Sequence, residues 1–302
     1  MVVLSDTEGD LNSVDALNLL ALIILAVSVT FFRRQLGEEA FWLLGVFAFL
    51  LVFVLGTAWL SGRSPVWRVM HDFSAVLLVP VIFNTLGSII DCASPARWDS
   101  TFSDLDAWIF GDFPRLWRDV LGRASWFVDL SSGLYVSYYF VPLILAVAAY
   151  RYAHRAEFRL VVFAIALTFY ASYVGYFLFP TIGPRLPPAV SPLIGGALSH
   201  GVRVFIEFSE RTRTDAFPSG HTAVALVCLW FAWHIVPRVF VALLPLVAGI
   251  VFSTVYLHYH YVIDVIAGVG LAVACAWLAP RLEALLGPWE VKRRFTLLLG
   301  SG

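Results

Sequence analysis

Charge is scarce in this chain. Asp, Glu, Lys and Arg make up 14% of its 302 residues, roughly half the share of an ordinary soluble domain. Hydrophobic residues reach 60%, an excess that calls for burial in a bilayer. Lysine is nearly missing: Lys292 is the single lysine among 20 basic residues. The net charge of -1 offers no basic surface for a nucleic-acid partner. Cys92, Cys228 and Cys275 are too few and too scattered for a disulfide framework or a zinc cluster, and Cys228 and Cys275 fall in apolar segments as packing residues. A cleavable leader is not apparent. Asp6, Glu8, Asp10 and Asp15 precede the first apolar run where a positive n-region would stand, and no small-residue cleavage site follows it. The first helix is therefore expected to stay in the protein.

What the chain does have is long apolar runs. A bilayer core needs about 20 apolar residues per helix, and candidate spans lie at 15–32, 40–60, 72–91, 130–150, 159–180, 220–237, 239–258 and 260–280. The breakers agree with these cuts: Arg33-Arg34, Ser61-Gly62-Arg63, Arg151 to Arg155, Pro180 to Pro188, Pro237-Arg238 and Pro280-Arg281. The expected fold is an all-α integral membrane protein of about eight transmembrane helices. Two connections are long. Residues 92–129 mix Trp98, Phe102, Trp108, Phe110, Phe113, Leu116 and Trp117 with acids and arginines, the pattern of an interfacial helix in the headgroup zone. Residues 181–219 are rich in proline, glycine and arginine, and a long loop in a chain of short ones is often functional. With eight spans, the connections 33–39, 92–129, 181–219 and the 258–260 corner share one membrane face.

That face collects the chemistry. The 181–219 connection closes with Phe217-Pro218-Ser219-Gly220-His221-Thr222, directly before an apolar run. A helix start offers unpaired amides and a positive dipole end. Ser219 adds a hydroxyl, Gly220 lets the backbone approach an anion, and His221 stands in the first turn. The plain alternative is a serine N-cap followed by an interfacial histidine. A second element ends in His258-Tyr259-His260-Tyr261-Val262-Ile263-Asp264. His260 and Asp264, four residues apart, share one helical face. A carboxylate accepting one ring N–H fixes the imidazole tautomer and frees the other nitrogen to attack. Asp264 within an apolar helix is a functional candidate by default; a structural His–Asp pair is the alternative. His258, six residues from Asp264, falls on the wrong side for that pairing. A His258/His260 metal site finds no third ligand nearby. The third element, Gly183-Pro184-Arg185-Leu186-Pro187, holds a guanidinium fork suited to phosphate oxygens, or else an arginine that flanks a span. Ser253, ending the seventh span, falls on the same face.

These motifs resemble the type-2 phosphatidic acid phosphatase superfamily, whose pattern is Lys-x6-Arg-Pro, then Pro-Ser-Gly-His, then Ser-Arg-x5-His-x3-Asp. The second motif matches in full at Pro218 to His221, and Ser253, His260 and Asp264 keep the register of the third. The resemblance covers roughly residues 175–270. It implies two extra N-terminal helices (1–71) ahead of a six-helix catalytic domain (72–302). It also implies that His260 forms a phosphohistidine oriented by Asp264 and that His221 protonates the leaving oxygen. Arg185, Ser219, Gly220 and Ser253 would hold the phosphate, with no metal and no other cofactor. Membrane lipids in the bilayer are the implied partners; protein partners are not indicated. The implied setting is a bacterial inner membrane with the site at the extracytoplasmic face, although the Lys/Arg count divides almost evenly between faces.

The departures from the pattern carry information. Leu178 replaces the lysine of the first motif, Leu186 its proline, and Thr254 the arginine of the third. A site with fewer cations suits a singly charged phosphodiester better than a dianionic monoester, unless Arg203, Arg211 or Arg213 compensates. These gaps, the Gly-Pro-Arg form and the stretch from Leu105-Asp106 to Phe110-Gly111 look like the inositol phosphorylceramide synthase branch. Such enzymes pass a phospho-headgroup from one lipid to the hydroxyl of another. The alternative is a lipid phosphomonoester or pyrophosphate phosphatase with water as acceptor. A transporter, more remote, would place its ionisable residues near the midplane.

Overall fold

The computed structural model of the chain describes residues 11–111, 121, 124–185 and 195–286. Phe113, Leu116 and Trp117 of the interfacial stretch, and Leu186 and Pro187 of the first motif, lie outside the described residues. Among those described, the chain is helical, with an isolated parallel bridge between Thr181 and Asp215.

Helix α1 (Ser13–Phe31), a short α2 (Arg33–Leu36) and α3 (Glu39–Leu60) form the N-terminal pair of spans. Then come α4 (Pro65–Asp72), α5 (Ser74–Ala93) and α6 (Asp99–Phe110). The next span, Ser125–Tyr152, is made of α7 (Ser125–Val136), a 3-10 turn (Ser137–Phe140) and α8 (Val141–Tyr152). The set is completed by α9 (Arg155–Leu178), α10 (Ala197–Ser209), α11 (Gly220–Ile235), α12 (Pro237–Tyr256) and α13 (Val262–Leu286). Seven segments are long and apolar enough to cross a membrane, so the protein is a multi-pass integral membrane protein. The eighth expected span is α11, and its 16 residues rise only about 24 Å. It is shorter than the expected 220–237 because the chain leaves the helix at Val236, ahead of Pro237, as a residue before proline tends to do.

The bundle is built around α9. It packs against α1, α5, α8, α11 and α13, and Phe158, Phe163, Ala164 and Ala166 on it are buried. Small residues here allow close helix approach, the main source of helix association in lipid. The outside is apolar: Phe31, Phe41, Phe49, Trp59, Trp230 and Trp233 are all more than half exposed. That arrangement is stable only where the solvent is hydrocarbon.

The bundle sorts its polar contacts to two ends. At the end holding Ser13, the Ser13 hydroxyl donates to Glu283 at 3.2 Å, His71 Nε2 lies 2.8 Å from Asp15 Oδ2, and Arg155 pairs with Asp72. These contacts tie α1 to α4 and α13. Asp15 also accepts the Asn12 N–H at 2.8 Å, closing a capping box on α1. All the motif loops lie at the other end, as the count of spans predicts.

Two amphipathic helices lie at that second end. The interfacial stretch is helical over α6. Its Asp99 accepts the Ile182 and Gly183 amides at 3.0 and 2.9 Å, and its Asp106 accepts Ile263 N–H at 2.9 Å. The second such helix, α10, falls within the segment read above as a loop. Val202 and Ile206 point inward while Leu198, Val204 and Phe208 are exposed, and Asp129 on α7 accepts the Gly196 and Ser199 amides at 2.9 Å each to cap it.

Replacing Asp15 with Ala removes both a cap and the partner of a buried histidine, at an expected cost of about 2–3 kcal/mol. Thermal unfolding in detergent should show a lower midpoint for Asp15→Ala. A further His71→Ala change in that background should then cost less than it does alone.

Candidate active site

Three segments with no sequence proximity meet at the loop end of the bundle. Ala216 N–H donates to Thr181 O at 2.9 Å, which lays the Gly183-Pro184-Arg185 segment beside the approach to α11. Ser219 N–H donates to the Asp264 carbonyl at 2.9 Å, locking the start of α11 to the first turn of α13. Phe102 of α6 stacks on Phe217 with centroids 4.4 Å apart, closing this junction from outside.

Helix α12 ends at Tyr256, and the chain turns sharply through His258, whose φ of 62° is uncommon for a non-glycine residue. The Tyr259 and His260 amides both donate to Thr254 O at 3.0 Å. This turn delivers His260 into the interior, 1% exposed. Its Nδ1 lies 2.9 Å from the Ala216 carbonyl and 3.5 Å from Asp264 Oδ2. A carbonyl only accepts, so Nδ1 carries the proton and Nε2 keeps its lone pair. The backbone carbonyl is thus the nearer orienting partner, with the carboxylate behind it. Asp264 Oδ2 is fixed by the Tyr261 N–H at 2.8 Å.

His260 Nε2 faces His221 Nδ1 at 3.5 Å. His221 sits in the first turn of α11, its ring stacked on Tyr135 at 4.6 Å and tilted against Tyr138 at 4.2 Å. Ser219 is the N-cap: its hydroxyl accepts the Thr222 N–H at 3.3 Å. Ser253 is fully buried with its hydroxyl unpartnered. Arg185 donates through Nη2 to Asp215 Oδ1 at 3.0 Å and leaves Nε buried without a partner. Burial works against the Arg185 charge, but the Asp215 carboxylate outweighs it and holds the guanidinium above its usual range. Gly183 precedes this arginine with φ of 85°, and a β-carbon there would lie 2.6 Å from the Tyr259 carbonyl. Both facts reserve the position for glycine.

All seven residues singled out by the motifs therefore gather at this end, as does Asp215. Gly220 also meets a packing constraint. A β-carbon on it would lie 2.4 Å from the Tyr176 hydroxyl, so that phenol occupies the space a side chain would need.

Beside the motifs lies a cavity of about 420 Å³. Its walls are apolar, with Val79, Phe83, Leu143, Val162 and Phe169 among them. Gly220, His221, Glu210 and Asp215 reach it at the polar end. His260 is set behind His221. Glu210 is 7% exposed and accepts the Tyr139 hydroxyl at 2.5 Å. Burial first, and Asp215 second, push it up to about 7. Sequence reasoning did not single out Glu210, because no motif or spacing marks it. Among the described residues, no group of three or more His, Cys, Asp and Glu side chains is arranged to hold a metal ion.

Comparison with known proteins finds one family: residues 100–278, more than half of the chain, match the model described as PAP2 superfamily. No curated protein and no solved structure matched.

The Tyr176 contact is testable by rescue. Gly220→Ala should lower activity by at least about tenfold, as displacement of a packed site group does. Tyr176→Phe, which removes the oxygen in the way, should restore part of it in the double variant. A double variant no better than Gly220→Ala would show that the glycine serves the ligand instead.

Proposed function

The chain belongs to the PAP2 superfamily, a group of membrane lipid phosphatases and phosphotransferases, and from that premise we propose that it is a lipid phosphotransferase. It passes a phospho-headgroup from a phosphodiester lipid to the hydroxyl of another lipid, in the manner of the inositol phosphorylceramide synthase branch.

The observation that carries this reading is the order cavity, His221, His260. A lipid chain lying in the apolar cavity brings its ester oxygen first to His221, with His260 Nε2 behind it, 3.5 Å from His221 Nδ1. His260 Nε2 attacks phosphorus, the bond to the lipid oxygen breaks, and that oxygen takes a proton from His221. Ala216 and Asp264 hold the His260 ring and stabilise its charge as the N–P bond forms. Arg185, the Ser219 cap, Gly220 at the start of α11 and Ser253 hold the non-bridging oxygens. A fixed set of dipoles and one guanidinium then does the electrostatic work.

Charge favours the diester. Within this cluster the cation is Arg185, already paired with Asp215, and Glu210 adds a second carboxylate at the cavity. A dianionic monoester meets more repulsion here than a singly charged diester. The apolar walls of the cavity favour an alcohol over water in the second step. The site opens at the extracytoplasmic face of a bacterial inner membrane, and the pair α1 and α3 is an accessory to a six-helix catalytic core.

His260→Ala should abolish turnover and any covalent headgroup adduct, and His260→Gln, which keeps more of the buried volume, should do the same with a smaller fall in the thermal midpoint. Full activity in either variant, or an adduct trapped on His258, would falsify the assignment. Loss of His221 should hurt least with an activated p-nitrophenyl ester, since acid assistance matters when the departing oxygen is basic. Supplying a labelled phosphodiester lipid with and without a lipid alcohol separates the two chemistries. A new lipid diester supports transfer, and release of the free headgroup phosphate regardless of alcohol supports hydrolysis. Activity should survive a strong chelator; restoration by added Mg²⁺ or Zn²⁺ after chelation would speak for metal chemistry instead.

A further inference from the structure

Glu210 has no part in the route just described, yet it stands at the polar end of the cavity. One oxygen is satisfied: Tyr139 donates to Oε1 at 2.5 Å. The other, Oε2, is buried with no hydrogen-bond partner. Among the residues lining the cavity, His221 has the other such atom, Nε2. Each unpartnered buried polar atom costs about 1–3 kcal/mol, so two of them on one cavity mark a place where a ligand completes the bonding. The atoms also say what kind. A carboxylate oxygen only accepts, so its ligand must bring an O–H or N–H. A non-bridging phosphate oxygen has no proton to give and is repelled. The walls are hydrocarbon, so the rest of the ligand is hydrocarbon.

We propose that Glu210 is the residue that binds and deprotonates the acceptor: a long-chain alcohol sits in the cavity with its O–H donating to Glu210 Oε2 and its oxygen beside His221 Nε2, the group that gave up its proton in the first half-reaction. This rests on the reading of His260 as nucleophile. In the second half-reaction the alcohol oxygen bonds to phosphorus, and the bond from phosphorus to His260 Nε2 breaks with its electron pair returning to nitrogen. The hydroxyl proton passes to Glu210. Glu210 then hands that proton to His221, replacing the one His221 gave to the first lipid, so a full cycle neither gains nor loses protons. In-line displacement puts the departing and arriving oxygens at the same apical position opposite His260, so one alcohol site serves both lipids in turn.

The environment suits a base at neutral pH. Burial and Asp215 raise Glu210 to about 7, against the pull of Arg185, the Tyr139 hydrogen bond and His260, which is where a general base works best. A group that acts as a carboxylate loses activity as the pH falls through that value.

The test has two arms on the full-length protein in detergent. Hexadecanol and its methyl ether, radiolabelled, are compared in equilibrium binding to the unmodified protein. The alcohol should bind about tenfold tighter, the worth of one hydrogen bond, and diacylglycerol should displace it. Equal binding of alcohol and ether overturns the proposal, and failure of diacylglycerol to compete overturns the shared site. In the second arm Glu210→Gln should exchange labelled headgroup between lipid and alcohol about 100-fold more slowly and lose the acid limb near pH 7, because the same site serves the departing and the arriving alcohol. Normal exchange, or an acid limb that persists in Glu210→Gln, overturns the proposal. Should the unmodified protein bind alcohol over ether yet never load at His260, the nucleophile assignment fails while the alcohol site stands.

Discussion

Two helices that begin at the same end of the bundle must bring their first turns together, and the hydrogen bond from Ser219 N–H to the Asp264 carbonyl at 2.9 Å sets that distance. The first turn of α11 carries His221, and the first turn of α13 carries Asp264 with His260 just ahead. Ala216, three residues before Ser219, accepts from His260 Nδ1 at 2.9 Å. The segment that starts one helix therefore also orients the imidazole that precedes the other. The first contact is backbone to backbone and the second sets the ring against a backbone carbonyl, so at least one partner in each has far less freedom to move than a side chain. The interfacial helix α6 reinforces the arrangement, since Asp106 accepts the Ile263 amide at 2.9 Å and Asp99 holds the Gly183 amide at 2.9 Å, beside Arg185. Burial raises the Asp106 carboxyl and the amides of Ile263 and Val262 pull it back down. Its charge is thus committed to a helix start, the end of a helix dipole that favours an anion.

The pairing pattern was legible in the sequence because it is local. Four residues separate His260 from Asp264, and Pro218 to His221 announce a helix start, so the motifs bring these groups close. But His260 precedes the helix that begins at Val262, and the turn held by Thr254 O, not a shared helical face, places it beside Asp264. Counting apolar runs was enough to bring the three motifs to one face. What stayed hidden depends on contacts between distant residues. The Ala216 carbonyl has no side-chain signature, yet it lies nearer to His260 than the aspartate does. Gly220 reads as a backbone opened for an anion, with no local sign that the Tyr176 hydroxyl, from a helix more than forty positions earlier, also needs that space. Glu210 looks like one more acid in a polar loop until Tyr139 and the cavity are seen around it.

The same contrast holds for the fold. Long apolar runs identified the spans and their order, since bilayer thickness demands length. The amphipathic α10 was lost within a loop rich in proline and glycine, because its apolar residues alternate with Ser199, His200 and Arg203 and reach no span-like length. Its identity as a helix rests on Asp129, which accepts two of its first amides from α7. Such a cap is chosen by tertiary packing and leaves no trace in the local sequence.

The site departs from a cation-rich phosphate pocket at two positions. Leu178 and Thr254 stand where the family pattern has lysine and arginine. Leu178 is 60% exposed, outside the cluster, and Thr254 spends its hydroxyl on the Val251 carbonyl at 2.7 Å. Neither position contributes a charge to the anion. Arg185 remains, neutralised in part by Asp215, and the Glu210 carboxylate tips the cavity end further toward negative. A group with one negative charge is matched by one guanidinium and a set of helix-start amides; a second negative charge would find no counterion within this cluster. The same low dielectric that penalises the second charge also strengthens the few hydrogen bonds that a single charge can make. The proposed transfer of a monoanionic phosphoryl group between two alcohols rests on this balance: an apolar cavity whose polar end carries Glu210, Asp215 and His221, beside a cluster with a single guanidinium already paired to Asp215.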